Sequence, residues 1–195
     1  EVVHEPESLK EYMRAAVGVT PDRPILIDRF LHHAMECEAD AICDGTHAFV
    51  PAVMEHIELA GVHSGDSACI LPSLNISEEN VKTIKEYTKK IAEEMHVCGL
   101  MNMQLAVKDG EIYMIEVNPR ASRTIPFISK VIGVPLAKLA ARVMAGEKLK
   151  DLGFTKEVAP DYIAVKESVF PFVRFLGSQI MLTPEMRSTG EVLGL

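Results

Sequence analysis

The apolar and polar positions along the chain follow two different periods. Glu7 to Met13 and Ser77 to Met95 carry apolar residues at the three-to-four-residue spacing of an amphipathic helix. Met101 to Val107 alternates strictly between apolar and polar or small residues, as a strand with one buried face does. Together these patterns predict an α+β fold in which an antiparallel sheet is flanked by helices.

Capping and turn residues set the boundaries of the predicted elements. Ser8 and Ser77 are placed to cap helices, and Gly18 and Gly99 are placed to end them. Asp44-Gly45 is a strong turn signal, which predicts antiparallel pairing of its two flanks. The further predicted helices are Thr124–Val131 and Leu136–Ala145, and the predicted strands are Ile25–Leu31, Glu38–Cys43, Ala48–Val50, Val53–Met54, Ala68–Pro72, Met101–Val107, Ile112–Asn118 and Tyr162–Lys166, with strand-like pieces around Val169–Phe175.

The turn that joins the strands around residues 101–107 and 112–118 decides which of their side chains share a face. A two-residue loop pairs Met103 with Glu116 and sets a carboxylate among methionines. A three-residue loop, with Gly110 in the left-handed conformation, pairs Asn102 with Glu116 and leaves one face wholly apolar. We therefore predict the three-residue loop, which gathers the polar residues on one face: Gln104, Glu116 and Asn118.

The segment from Glu116 to Arg123 carries the strongest chemical signal. Glu116 and Asn118 alternate onto one face of the strand, Pro119 ends it, and Arg120 and Arg123 follow. Carboxylate and amide oxygens are ligands for a hard divalent cation, and arginines bind phosphate oxygens. The pattern predicts a metal-nucleotide site, although the same residues taken alone also fit an edge strand with a solvated tip.

Two further stretches are candidates for nucleotide contacts. Gly61-Val62-His63-Ser64 is a loop of small and polar residues that allows close approach of a ligand, and Glu36 offers a carboxylate to ribose hydroxyls. Each also has a simpler interpretation, as a structural loop and a solvated charge. The sequence contains no Walker-type glycine loop and no dinucleotide-binding glycine fingerprint. A nucleotide is therefore expected to be held between sheets.

Composition and charge narrow the range of partners. The net charge of −8 gives no electrostatic reason to expect a nucleic acid or an anionic membrane as partner. The four cysteines show no metal-binding spacing, which favours reduced core cysteines in a cytoplasmic protein. No signal segment and no apolar run long enough to span a bilayer is visible. Both ends look cut from a longer protein.

Five motifs, taken together, resemble the large subunit of carbamoyl phosphate synthetases. That subunit contains two ATP-grasp halves, and the sequences of these motifs are similar to the C-terminal half. In the family, the C-terminal half phosphorylates carbamate with ATP. The resemblance implies an ATP-grasp fold that lacks the upstream part of the module. The motifs run in the family's order and cover nearly the whole chain: Met54–Glu58, Gly61–Ser67, Gly99–Asn102, Glu116–Arg123 and Met186–Val192.

The resemblance also implies roles for individual residues. Arg120 and Arg123 match arginines near the transferred phosphoryl group and the carbamate, and His56 is a candidate to contact either the substrate or the residues that bind it. The metal ligands for Mg²⁺ or Mn²⁺ are then Gln104, Glu116 and Asn118. The residues that contact ATP are then Arg29, Leu31, Glu36, Gly61, Val62, His63, Ser64, Gln104 and Glu116.

The implied organisation has three parts. Residues 1–24 are a remnant of the preceding lobe, 25–150 the nucleotide- and metal-binding core, and 151–195 an extension of the module. The implied intact enzyme is an oligomeric, cytoplasmic ATP-dependent ligase of pyrimidine and arginine synthesis, working with a glutamine amidotransferase small subunit. This segment alone is expected to be inactive. The alternatives are another ATP-grasp ligase, of the biotin carboxylase or carboxylate-amine ligase type, and a non-catalytic nucleotide-binding module.

Overall fold

The computed structural model describes residues 3–19, 24–154, 156, 158–172 and 181–195. The chain divides into two compact units, Glu1–His32 and His33–Leu195. The first unit contains helix α1 (Pro6–Val19), followed by residues 24–32 without regular secondary structure. Ser8 lies inside α1 and not at its cap, because the helix already starts at a proline, and the helix continues past Gly18.

The predicted strand Ile25–Leu31 is wrong. Most of its side chains are exposed, with Leu26 at 83% and Phe30 at 43%. An apolar run becomes a strand only where another strand satisfies its backbone groups, and the described residues of the first unit contain no strand. The apolar pattern alone therefore does not decide this segment.

The second unit is built on a seven-stranded sheet whose pairings are all antiparallel. This confirms the predicted fold class. The spatial order is β5-β4-β1-β2-β3-β6-β7, so β5 and β7 form the two edges. The strands are β1 (Met35–Asp44), β2 (Ala48–Leu59), β3 (Cys69–Leu71), β4 (Cys98–Lys108), β5 (Glu111–Asn118), β6 (Ala164–Val169) and β7 (Gly190–Gly194).

Helices cover both faces of this sheet. Helix α2 (Glu78–Glu94) packs on one face, against the buried side chains of β1 and β4 that include Met101 and Met103. Helices α3 (Thr124–Ile132) and α4 (Leu136–Met144) place their apolar sides on the other face. Among the described residues, no single helix has the length and apolarity to cross a membrane; the bent pair α3 and α4 meets that test only when its two helices are counted together.

The ends of α2 show one correct prediction and one error. Ser77 Oγ accepts a hydrogen bond from the Asn80 backbone nitrogen at 3.2 Å, which confirms it as the N-cap. The helix stops at Glu94, and His96, with φ 51°, makes the left-handed turn that Gly99 was predicted to supply. Gly99 belongs to β4.

The cysteines are unpaired, as predicted, but not all of them belong to the core. Cys37, Cys43 and Cys69 are buried, whereas Cys98 is exposed. Cys98 is the first residue of β4, and its thiol points to the Val143 carbonyl at the end of α4. The prediction of a core position is therefore wrong for Cys98.

The turn between β4 and β5 differs from the prediction. Asp109 and Gly110 form a two-residue turn with φ 52° and 82°, and Lys108 pairs directly with Glu111. The predicted three-residue loop is therefore wrong. Positive φ at both central residues is the conformation that gives the tightest hairpin with the natural strand twist, and Asp-Gly is well suited to it.

The polar residues nevertheless share a face, because the extra residue lies in the middle of β5. Leu105 pairs with Met114, and the next residue, Gln104, pairs with Glu116, so Ile115 is bulged out of the ladder. One extra residue reverses the alternation beyond it. The bulge thus restores Gln104, Glu116 and Asn118 to a common face, as predicted from the sequence but through a different device.

Engineered cysteines can test this register. We predict that Gln104→Cys with Glu116→Cys forms an intramolecular disulfide on mild oxidation, because directly opposed residues have the separation that a disulfide requires. The control is Met103→Cys with Glu116→Cys, the pair that an unbulged strand would oppose. Peptide mapping by mass spectrometry under non-reducing conditions reads the outcome, and a disulfide in the control pair but not in the first would contradict the bulge.

Asp44 joins the β1–β2 hairpin to the segment after α4. Its Oδ1 accepts hydrogen bonds from the backbone nitrogens of Thr46 and His47 at 3.1 and 3.0 Å, and its Oδ2 accepts from the Leu149 nitrogen at 3.1 Å. Burial acts to raise the pKa of Asp44, but these hydrogen bonds outweigh burial and hold the pKa below its ordinary value. The ionised carboxylate is therefore part of the fold.

We predict that Asp44→Ala lowers the free energy of unfolding by about 2 kcal/mol near neutral pH, since buried backbone donors lose their acceptor. Because the folded-state pKa is lowered, this stabilisation is present above the unfolded pKa and is lost as pH falls below about 4. Urea unfolding at neutral and acidic pH measures it. Asp161→Ala, at an exposed position, is the control and should change neither value; an equal loss at both pH values for Asp44→Ala would contradict the assignment.

Candidate functional site

Two rows of polar side chains cross three neighbouring strands on one face of the sheet. The register pairs β1 with β4 and β4 with β5, so each row takes one residue from each strand. The first row is Glu38, Gln104 and Glu116, and the second row is Asp40, Asn102 and Asn118. The opposite face of the same strands is apolar and packs on α2.

The β1 members of these rows were not predicted from the sequence. Glu36 was predicted as a site residue, but Glu38 and Asp40, which are both buried, were not. A signal was available, because carboxylates at every second position of a strand share one face, while the intervening Cys37 and Ala39 take the other. Three acidic residues on a buried strand face indicate a site and not a solvated surface.

The three predicted metal ligands come together, and their amide groups are oriented by hydrogen bonds. Asn118 Nδ2 donates to Glu116 Oε1 at 2.7 Å, and Gln104 Nε2 donates to Ser64 Oγ at 2.9 Å. With both amide nitrogens engaged, the amide oxygens of Gln104 and Asn118 are the atoms left for a cation. One carboxylate and two amide oxygens fit Mg²⁺ or Mn²⁺, which take their other ligands from phosphate and water.

The described residues contain no group of three or more His, Cys, Asp or Glu side chains arranged to hold a metal ion. An all-protein metal cage is therefore not what this face of the sheet offers. The donor set suits a cation that arrives with an anionic ligand, since additional carboxylates would repel that ligand.

Glu36 is the third acidic residue on this face of β1. Burial, followed by the charges of Glu38 and Glu116, raises the pKa of Glu36 to about 7. A cation or a hydrogen-bond donor brought beside it relieves this unfavourable charge. Glu36 is thus placed where a ligand that donates hydrogen bonds would favour its carboxylate form.

The loop from Gly61 to Ser64 is a compact turn. Gly61 has φ 116°, a conformation that favours glycine. His63 Nδ1 accepts from the Gly65 backbone nitrogen at 3.0 Å, so the proton of a neutral ring lies on Nε2. Ser64 is buried where the loop meets Gln104, which brings the loop and the candidate metal ligands together.

Asp40 anchors the loop that carries the two arginines. It accepts hydrogen bonds from Ser122 Oγ at 2.7 Å and from Thr124 Oγ1 at 2.5 Å, the residues on either side of Arg123. Burial raises the pKa of Asp40, and these hydroxyl donors oppose that rise. The backbone N–H of Arg120 donates a hydrogen bond to the backbone carbonyl of Asn118 at 2.8 Å, and the Arg120 side chain is exposed.

Arg123 is held by the C-terminal segment of the chain. Its Nη1 donates to Ser188 Oγ and to Met186 Sδ, each at 3.0 Å, and its Nε lies 3.3 Å from Glu191 Oε1. The carboxylate of Asp66 accepts from the backbone nitrogens of residues 187 and 188, which fixes this segment to the loop that follows Ser64. The segment around Glu191 is therefore part of the site, a role that its sequence pattern did not reveal.

His56 lies beneath the first polar row. Its side chain is fully buried, and Nε2 is 3.8 Å from Glu38 Oε1. Burial, together with the charge of Lys166, lowers the pKa of His56 to about 3, so the ring is neutral near pH 7. His56 is therefore shielded from solvent, and it lies next to the site because it is close to Glu38.

Two predicted residues, Arg29 and Leu31, belong to the first unit. Arg29 is exposed and Leu31 is half-buried in the segment 24–32. Their contribution to an adenine pocket stays a prediction.

Comparison with known proteins identifies the family. The family described as carbamoyl-phosphate synthase L chain, ATP binding domain, matches residues 1–152. The chain is 56% identical over 198 residues to the carbamoyl phosphate synthase large chain of Methanothermobacter thermautotrophicus, and 52% identical over 195 residues to that of Archaeoglobus fulgidus. Both alignments cover 100% of this chain, but 19% and 18% of those proteins.

Solved structures support the same fold. The biotin carboxylase domain of a single-chain bacterial carboxylase superposes with a TM-score of 0.64 at 18% identity, covering 83% of this chain and 43% of that chain. This likeness shows the ATP-grasp fold alone. The chain spans about a fifth of the length of the curated relatives. On the family match and the identity over its whole length, the chain belongs to the family of carbamoyl-phosphate synthase large-chain ATP-binding domains.

Proposed function

We propose that this chain forms one wall of a phosphoryl-transfer site in a full-length carbamoyl phosphate synthase large chain. At this site carbamate is phosphorylated by ATP, and the products are carbamoyl phosphate and ADP. The observation that carries the proposal is the convergence of Gln104, Glu116 and Asn118 on one face of the sheet, with the amide nitrogens of Gln104 and Asn118 engaged in hydrogen bonds. The names of the relatives support carbamoyl phosphate as the product. The resemblance of the motifs supports the assignment of this chain to the C-terminal half of the large chain.

The reaction needs positioning and charge neutralisation more than covalent chemistry. A carbamate oxygen attacks the γ-phosphorus, a new oxygen–phosphorus bond forms, and the bridging oxygen leaves with ADP and the electron pair of the broken bond. A bound Mg²⁺ or Mn²⁺ neutralises phosphate charge. Arg123, oriented by Ser188 and Glu191, and the exposed Arg120 bind the oxygens of the transferred group and of the acceptor.

The remaining site residues have separate tasks in this proposal. Glu36 accepts hydrogen bonds from ribose hydroxyls, which stabilise its carboxylate form against the rise in pKa that burial causes. The Gly61–Ser64 loop borders the nucleotide. His56, neutral and buried, acts on the site through Glu38.

The family resemblance extends the proposal beyond this chain. Carbamate is unstable in water, so the full-length enzyme has to form it close by from bicarbonate and ammonia. We assign the ammonia supply to a glutamine amidotransferase small subunit, and the complete enzyme to a cytoplasmic oligomer of pyrimidine and arginine synthesis. The chain alone contributes the metal-binding wall and is not expected to turn over.

We predict that Glu116→Gln in the full-length protein lowers the rate of ATP formation from carbamoyl phosphate and ADP by at least about 100-fold. The reason is the loss of the one carboxylate of the metal site. A coupled hexokinase assay measures the rate. The reverse reaction is chosen because it isolates phosphoryl transfer at this site from the steps that form carbamate.

The matched control is Glu111→Gln, the same change at an exposed position on the same strand. It should leave the rate within about twofold of the unsubstituted protein, because it lies outside the polar rows. Both variants should keep the same thermal midpoint. Near-normal ATP formation by a folded Glu116→Gln protein would refute the proposed role.

A further inference from the structure

Lys166 of β6 is a buried cation that the proposed reaction does not yet use. Its side chain is 1% exposed, and among the described residues its Nζ has no oxygen acceptor at hydrogen-bond distance, while the Cys69 sulfur lies close enough to interact with it. Burying an ammonium group without hydrogen bonds is costly, so such a group is retained only where its charge offsets other charges. The neighbours of Lys166 therefore indicate its role.

The nearest anion to Lys166 is the same carboxylate oxygen that orients Arg123. Glu191 Oε1 lies 3.9 Å from Lys166 Nζ and 3.3 Å from Arg123 Nε. Among the described residues, this oxygen makes no regular hydrogen bond, so it is held by charge between two cations. The side chain of Arg123 is 35% exposed, whereas Lys166 lies entirely inside, which places the two cations on the outer and inner sides of Glu191.

The groups that face Lys166 come from four strands. Cys69 of β3 and Leu193 of β7 lie directly opposite it in the sheet. Glu38 of β1 and His56 of β2 also interact with it electrostatically, and Lys166 favours the carboxylate form of Glu38. The neutral His56 ring adds no charge, so Glu191 and Glu38 are the acidic side chains beside this cation.

The charges of Arg123, Glu191 and Lys166 determine how strongly this cluster attracts an anion. Arg123 paired with Glu191 alone is a neutral pair, and a neutral pair attracts an anionic substrate weakly. With Lys166 included, the ion pairs around Glu191 Oε1 join two positive charges to one negative charge, so these three side chains carry a net charge of +1. Glu38 interacts with Lys166 at longer range, forms no ion pair with it among the described residues, and belongs to the first polar row. Glu191 can then orient the guanidinium without cancelling its charge.

We propose that Lys166 is a positioning residue for the acceptor end of the phosphoryl-transfer site, acting through Glu191 on Arg123. This inference rests on the proposed function, and it adds a residue that contacts neither nucleotide nor metal ligand. Lys166 balances Glu191, and Arg123 stays both oriented and positively charged toward the carbamate or carbamoyl phosphate.

The test uses the full-length protein and the formation of ATP from carbamoyl phosphate and MgADP. Lys166→Met removes the inner charge with a side chain of similar length, and the Arg123–Glu191 pair becomes neutral. We expect the KM for carbamoyl phosphate to rise about tenfold, while the KM for MgADP changes less than about twofold because the metal ligands are untouched. A purely structural defect would raise both KM values.

A charge-balanced double variant supplies the rescue. Lys166→Met with Glu191→Gln removes one positive and one negative charge, which returns the net charge of the cluster to +1, and Ser188 and Met186 still hold Arg123. We expect its KM for carbamoyl phosphate to fall below that of Lys166→Met, because the positive charge is restored, and to stay above that of the unsubstituted protein, because Glu191 no longer orients Arg123. An unchanged KM in Lys166→Met, or a double variant no better than the single one, overturns the proposal.

Two further measurements separate the possible failures. If Lys166→Met does not fold, Lys166→Gln carries the same test with a polar side chain, and its KM for carbamoyl phosphate should also rise about tenfold; an unchanged KM overturns the proposal. An active Glu116→Gln protein refutes the proposed function itself. An inactive Glu116→Gln protein beside a Lys166→Met protein with normal KM values refutes only the role of Lys166.

Discussion

The pairing of Gln104 with Glu116 is the constraint on which the candidate site depends. The tight Asp109-Gly110 turn starts the β4–β5 ladder in a register that would set Glu116 among methionines. The bulge at Ile115 shifts the ladder by one residue, and every side chain beyond it changes face. The apolar face against α2 and the polar face with its oxygen ligands are therefore both consequences of a single extra residue in the middle of an edge strand.

Burying the charged groups of the polar face costs free energy, and hydrogen bonds and ion pairs to specific partners offset that cost. Asp40 receives hydroxyl donors from both sides of Arg123, Asp66 holds the C-terminal segment, and Lys166 balances Glu191. Each of these contacts joins segments far apart in the sequence, and each involves a residue that flanks or contacts Arg123. The interactions that offset the buried charge also fix the arginines, so stability and site geometry share the same side chains.

Local patterns predicted much of the fold and only part of the site. The alternation of β4, the Ser77 cap and the helices α3 and α4 are set by nearby residues, and these predictions were right. The turn was wrong because Asp-Gly fits both loop lengths, and the choice depends on a bulge five residues away. The strand Ile25–Leu31 was wrong and β7 was missed, because pairing partners decide both. Lys166 reads as an ordinary strand lysine until the sheet places it beside Glu191.

The whole proposed function depends on our proposal that this face of the sheet binds a divalent cation together with nucleotide phosphates. Electron paramagnetic resonance of Mn²⁺ with ADP, titrated with this chain, tests it most directly because the free-ion signal falls when the ion is bound. The account predicts that the chain removes the free Mn²⁺ signal far more strongly with ADP than without it, and that Asn118→Ala abolishes this difference. Equal titrations for the unsubstituted chain and for Asn118→Ala would contradict it.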